Sequence, residues 1–92
     1  MKKELAIITV IGRDQIGIVA HVSRVLYENQ INIEDMSQSI MEGFFVMGML
    51  VDVGRSPKNI KEIRQQLNET GEKVGLSITI QHEDIFNAMH RV

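Results

Sequence analysis

Two hydrophobic rhythms alternate along this chain of 92 residues. Leu5 to Ile11 is apolar at every position except Thr9, and it is rich in β-branched residues. A short run of this kind reads as a strand buried on both faces. Gly12 to Gly17 follows as a polar loop with glycine at each end. Ile18, Val19, Val22, Val25 and Leu26 then recur at helical spacing, with His21, Arg24 and Glu28 on the other side. This helix is expected to stop near Glu28-Asn29-Gln30. Ile31 to Ile40 mixes polar and apolar residues on both faces and reads as a second strand. Met41-Glu42-Gly43 is a hairpin turn, its glycine suited to positive φ. Phe44 to Val53 is a third strand, with Phe44, Val46 and Leu50 on one face and Phe45, Met47, Met49, Val51 and Val53 on the other.

Ser56-Pro57 has the form of an N-cap followed by proline at the first helical position. Ile60, Ile63, Leu67 and Val74 stay in phase, so the helix is carried through Gly71 and closed by Gly75. Leu76, Ile78 and Ile80 alternate with Ser77, Thr79 and Gln81, giving a fourth strand with one dry face. Ile85, Phe86 and Met89 fit a short C-terminal helix over about 83–91.

The element order is β-α-β-β-α-β plus that last helix, in a single domain spanning 1–92 with its core at about 4–82. Strands one and three are apolar on both sides and belong in the centre; strands two and four carry polar faces and belong at the edges. Right-handed crossovers then select an α+β, ferredoxin-like sandwich with an antiparallel four-stranded sheet of order 4-1-3-2. Both helices cover one face. The other face is also apolar at its centre, and the last helix is too short to cover it. A partner chain is the expected cover, which makes the protein a homodimer.

Composition narrows the function. Net charge is −2, which argues against a nucleic-acid surface. There is no cysteine, so disulfides and thiolate metal sites are excluded. Met1-Lys2-Lys3 is followed by Glu4, and the apolar run ends at Gly12-Arg13-Asp14, too short and too polar for a signal peptide. No run approaches the ~20 apolar residues that span a bilayer. A cytoplasmic protein is expected.

The candidate chemistry lies where the first strand turns into the first helix. A helix N-terminus presents unpartnered N–H groups and a partial positive charge. The backbone of Ile16, Gly17 and Ile18 can therefore hold a carboxylate. Asp14 can pair with an ammonium group, and Asn32, opening the second strand, offers both donor and acceptor. Together these match the two ends of a zwitterion. A purely structural use accounts for the same residues: Gly12 and Gly17 shape a tight turn, Asp14 caps the helix, and Asn32 closes the turn before its strand. His21, His82 and His90 with Glu83 and Asp84 show no recognised metal spacing, and no cofactor is expected. Gly12-x-x-Gln15-x-Gly17 faintly echoes the phosphate loop of acylphosphatases. That chemistry needs an arginine just after the loop, where this chain has Ile18, Val19, Ala20 and His21. No nucleophile is set beside a base, so no enzyme activity is expected.

Ile11-Gly12-Arg13-Asp14-Gln15-Ile16-Gly17-Ile18-Val19 together with Asn32-Ile33 resembles the ACT domain, a small regulatory module that senses amino acids. The resemblance covers roughly residues 4 to 82. The whole chain looks like the small stand-alone ACT proteins, down to the closing Glu83-Asp84-Ile85-Phe86-Asn87-Ala88-Met89-His90. The loop is also similar to that of ACT regulators such as the glycine cleavage system transcriptional repressor. The resemblance implies a ligand held between two domains by the loop after the first strand and the start of the second. Carried over residue by residue, it points to Asp14, Gly17 and Asn32; with the helix-end amides and the neighbouring positions, the candidate ligand contacts are Asp14, Gln15, Ile16, Gly17, Ile18, Asn32 and Ile33. Asp14 stands where serine-sensing members have Asn, and Gly12 where some have His. In strand order 4-1-3-2, Asp14 and Asn32 of one chain are expected about two strand spacings apart, roughly 10 Å. A ligand shared by both residues is then expected to span a subunit interface. The implied function is regulatory, through a regulated protein partner, with no nucleic acid and no membrane.

Overall fold

A computed structural model describes residues 3–84. The element order is β1 (Leu5–Arg13), α1 (Ile18–Glu28), β2 (Asn32–Met41), β3 (Phe44–Asp52), α2 (Ile60–Val74) and β4 (Leu76–His82). The sheet order is β2-β3-β1-β4, the expected 4-1-3-2 read from the other edge, and all neighbours are antiparallel. The C-terminal helix expected over about 83–91 falls, beyond Glu83 and Asp84, on residues outside the described ones.

Alternation along the two central strands builds the core. Ala6, Ile8 and Val10 of β1 are fully buried, as are Met47 and Val51 of β3. From above, α1 contributes Ile18, Val22, Val25 and Leu26, and α2 contributes Ile63 and Leu67. On the edge strand β4, Leu76, Ile78 and Ile80 point inward while Ser77, Thr79 and Gln81 are exposed. The other edge differs. Met36 and Ile40 of β2 stand opposite the core residues Met49 and Phe45, yet are 39% and 60% exposed. Strand β2 therefore reaches beyond the cover of the two helices.

Three boundaries move from the sequence reading. Strand β1 continues through Gly12 and Arg13, because both pair in register with Phe45 and Phe44. Leu76 of β4 occupies the space a Cβ at Gly12 would need, its Cδ2 only 2.5 Å away. Helix α2 starts at Ile60 rather than at Pro57. Asn59 accepts a hydrogen bond from the Glu62 N–H at 2.9 Å, and the Glu62 carboxylate accepts from the Asn59 N–H at 3.1 Å. This reciprocal capping box satisfies two end donors at once, which Ser56-Pro57 cannot match. Helix α2 does run through Gly71 to Gly75. A Cβ at Gly71 would collide with the Leu76 backbone carbonyl, so glycine lets β4 return directly beneath its helix. The hairpin turn is Glu42-Gly43, both at positive φ (51° and 83°), as a tight two-residue turn between twisted strands requires.

Candidate functional site

The loop from β1 to α1 is pinned on both sides. The Asp14 N–H donates to the Gly43 carbonyl at 2.9 Å, tying it to the β2–β3 turn. The Gln15 side-chain amide donates to the Val74 carbonyl at 2.9 Å, tying it to the end of α2. Gln15 thus has a structural partner rather than a vacant amide. Ile16 stands at the tip, 99% exposed. Gly17 is the N-cap at φ 86°, and no side chain caps the helix. The expected structural use of Asp14 as a cap is not realised. The first turn of α1 has no acidic residue, so its end donors keep their positive character without an internal counter-charge. The Ile18 side chain is only 3% exposed and belongs to the core, leaving its backbone as the group available at the site.

From sequence, His21 is a position on the outer side of α1 and one of the metal candidates, not a residue of the loop site. One helical turn beyond Gly17, its imidazole flanks the cap: a Cβ at Gly17 would lie 3.6 Å from His21 Nε2. The spacing of four residues was the available signal. Arg13, just before the loop, lies 5.4 Å from the centroid of the Phe44 ring. Of the other metal candidates, His82 Nδ1 accepts the Asp84 N–H at 3.2 Å and its Nε2 faces Glu4 at 3.5 Å. His90 lies outside the described residues. No cluster of three ligating side chains occurs among the described residues.

Asn32 lies elsewhere. It pairs with Asp52, at the end of β3 that meets Leu5, whereas Arg13 meets Phe44 at the opposite end. Helix α1 carries the chain back along the whole of β1 before β2 begins. Asp14 and Asn32 are therefore separated by about the length of a nine-residue strand, on the order of 25 Å. The expected separation of roughly 10 Å counted only the sideways strand spacing. One small ligand cannot touch both residues of one chain.

Around Asn32 is a polar cleft of about 610 Å³, lined in part by Lys3, Tyr27, Gln30, Glu34, Asp52 and Arg55. The Asn32 side-chain amide donates to Glu34 at 2.6 Å, and Lys3 bonds the other oxygen of that carboxylate. The hydrogen bond from Lys3, then that from Asn32, holds the Glu34 carboxyl below its usual range; the same contact raises Lys3. Asp52 is lowered by the backbone N–H groups of Gly54 and Glu4, at 2.9 and 3.1 Å. A bulge between Ile33 and Asp35 makes Glu34 the extra residue of β2. Ile33 is partly buried and packs against the core. Lys3 and Arg55 were not read as site residues, because only the topology brings the start of β1 beside the end of β3.

Residues 4–81 match the ACT domain. The chain belongs to the ACT-domain family. A UPF0237 protein of Clostridium acetobutylicum is 52% identical over 87 residues, spanning 95% of this chain and 98% of that protein. One from the archaeon Methanopyrus kandleri is 46% identical, spanning 95% and 97%. Among solved structures, an ACT domain protein from Streptococcus pneumoniae superposes with a TM-score of 0.83 at 35% identity, covering 97% of this chain and all of that one. A structure described as a glycine cleavage system transcriptional repressor superposes with a TM-score of 0.76 at 26% identity, covering 89% of this chain and 47% of that one. The chain thus spans nearly the whole length of the UPF0237 proteins and of the Streptococcus structure, and about half of the repressor structure. No helix among the described residues is long and apolar enough to cross a membrane.

Proposed function

We propose that this ACT domain is a non-catalytic regulatory module that works as a pair of copies and takes a small amino acid between them. The observation that carries the reading is the start of α1. Its N-cap is a glycine in the left-handed region, no side chain caps it, and an exposed carboxylate, Asp14, stands three residues before it. Such a helix end accepts a carboxylate at its amides, and Asp14 accepts the ammonium group. The separation within one chain supports the paired arrangement. In a head-to-tail pair, the Asp14 end of one copy meets the Asn32 end of the other, giving two equivalent sites. Ligand acts by favouring the paired arrangement over others, since only differential affinity moves an equilibrium.

Calorimetric titration with each of the twenty amino acids tests this. Saturable heat with a small group of them is expected, and silence with all twenty counts against the ligand. Mixing Asp14→Ala and Asn32→Ala chains tests the shared site. Each variant alone should not bind, and the mixture should recover about one site per mixed dimer. A mixed dimer without recovered binding sinks the arrangement. A second reading is favoured by one observation: the half-buried Ile7, Val46 and Leu50 on the sheet face away from the helices. In that reading the domain is an interaction subunit that docks another protein and binds no metabolite. It predicts no heat with any amino acid.

A further inference from the structure

The cleft around Asn32 holds four charged side chains, and they are not equivalent. Lys3 and Glu34 bond each other, and Glu34 also accepts the Asn32 amide. Asp52 accepts the N–H groups of Glu4 and Gly54 at 3.1 and 2.9 Å. The Arg55 guanidinium makes no ion pair among the described residues. Its backbone, by contrast, is fixed. Val53 to Ser56 is a turn closed by the Ser56 N–H on the Val53 carbonyl at 3.1 Å, and Asp52 braces it through Gly54. Arg55 is the third residue of that turn and is exposed. A held backbone carrying unspent donors is a partly prepaid binding group.

The chemistry of the cleft selects what Arg55 meets. A guanidinium has five N–H donors and no acceptor, and it offers a carboxylate two parallel bonds. A carboxamide can accept only one of them. Asn32 keeps one amide N–H and its oxygen beyond its bond to Glu34. A basic side chain entering here would meet two carboxylates that already accept two hydrogen bonds each, beside Lys3 and Arg55. An apolar side chain would leave the guanidinium without a partner. A second copy closing over the cleft takes that charge out of water, which is costly unless an anion meets it. The loop end of that copy carries Arg13, Asp14 and Glu42. Its Asp14 is occupied by the ligand's ammonium group in the reading above.

We infer that the ligand is an acidic amino acid, with its side-chain carboxylate held by Arg55 and its main-chain groups at Asn32 and at the loop of the second copy. This rests on the paired reading above and names its ligand class. The cleft, about 610 Å³, lies within the roughly 300–1,000 Å³ of small-molecule sites.

Calorimetric titration of the 92-residue chain with aspartate, glutamate, asparagine and glutamine tests it. One acid should bind at least about tenfold more tightly than its own amide, as a charge-assisted bond allows. Added salt should narrow that preference, because the pair forms near the surface. Arg55→Gln should erase it, with thermal unfolding to confirm that the variant folds. Arg55→Lys keeps the charge without the fork and should retain part of it, which covers a misfolded Arg55→Gln. Preference undiminished in either folded variant overturns the role of Arg55. Equal affinity for acid and amide overturns the ligand class, as when Glu42 of the second copy takes Arg55 instead. Saturable binding of other amino acids and of neither acid overturns this inference and leaves the proposed function standing. Silence with all twenty amino acids overturns both.

Discussion

Helix α2 begins with two end donors taken by the Asn59–Glu62 box, whereas helix α1 begins at a glycine with no side-chain partner. Both helices bury one apolar stripe on the same sheet face, so packing does not account for the contrast. The difference lies in what precedes each. Before α2 the chain makes a turn held by Asp52, whose carboxylate takes the Gly54 and Glu4 N–H groups. Before α1 the loop is held by its flanks, through Asp14 N–H to Gly43 and Gln15 to Val74, and its helix end stays open. One joint is closed for stability. The other forgoes a cap, typically worth ~1 kcal/mol, and keeps backbone donors available.

The contrast can be broken most forcefully at Gly17. Gly17→Val places a β-branched residue at φ 86°, which costs about 1–2 kcal/mol although a Cβ there meets only the His21 ring, at ordinary contact distance. Thermal unfolding should fall by roughly 4–8 °C per kcal/mol for a domain of this size. Gly17→Asn, which tolerates this conformation, should lose much less, and an equal loss for both variants would mean that φ is not the constraint. Closing the comparison from the other side, Asn59→Ala should cost about 1 kcal/mol and lower the midpoint accordingly. It should leave amino-acid titration unchanged, because Asn59 is not a residue of the proposed site.

Gln15→Ala removes one exposed hydrogen bond to Val74, so its stability cost should be about 0.5–1 kcal/mol. Its larger signature should be faster amide exchange in residues 14–17, with α2 unaffected; unchanged exchange there would show that Gln15 does not hold the loop. The smallest effect is expected from acid. Glu34 and Asp52 have carboxyls held below their usual range, so their stabilising contribution is present above about pH 4. It is lost as pH falls through the depressed folded-state values. Asp52→Asn should flatten the loss of stability measured as pH falls below about 4. An unchanged acid limb would show that the two N–H contacts do not favour the charged form.

Much of this molecule is legible in one dimension. The switch of apolar spacing at Gly12–Gly17 and again after Val53 marks the elements, and two-sided apolar β1 and β3 against half-polar β2 and β4 dictates the sheet order. Those features depend on neighbours along the chain and on which faces must leave water, both written locally. The family signature in residues 11–19 is equally local.

What the tertiary structure decided concerns distance and competition. Ser56-Pro57 looked able to start α2, and the reciprocal bonds between Asn59 and Glu62 move the start to Ile60. The Gln15 amide meets the Val74 carbonyl at the end of α2, a partner that spacing along the chain does not announce. Asp14 and Asn32, eighteen positions apart, lie at opposite ends of the sheet because α1 retraces the length of β1 between them. His21 came to flank the cap, and Lys3 reached Glu34. None of these follows from spacing along the chain, because each is a meeting of segments whose separation is set by the packing of the whole sheet.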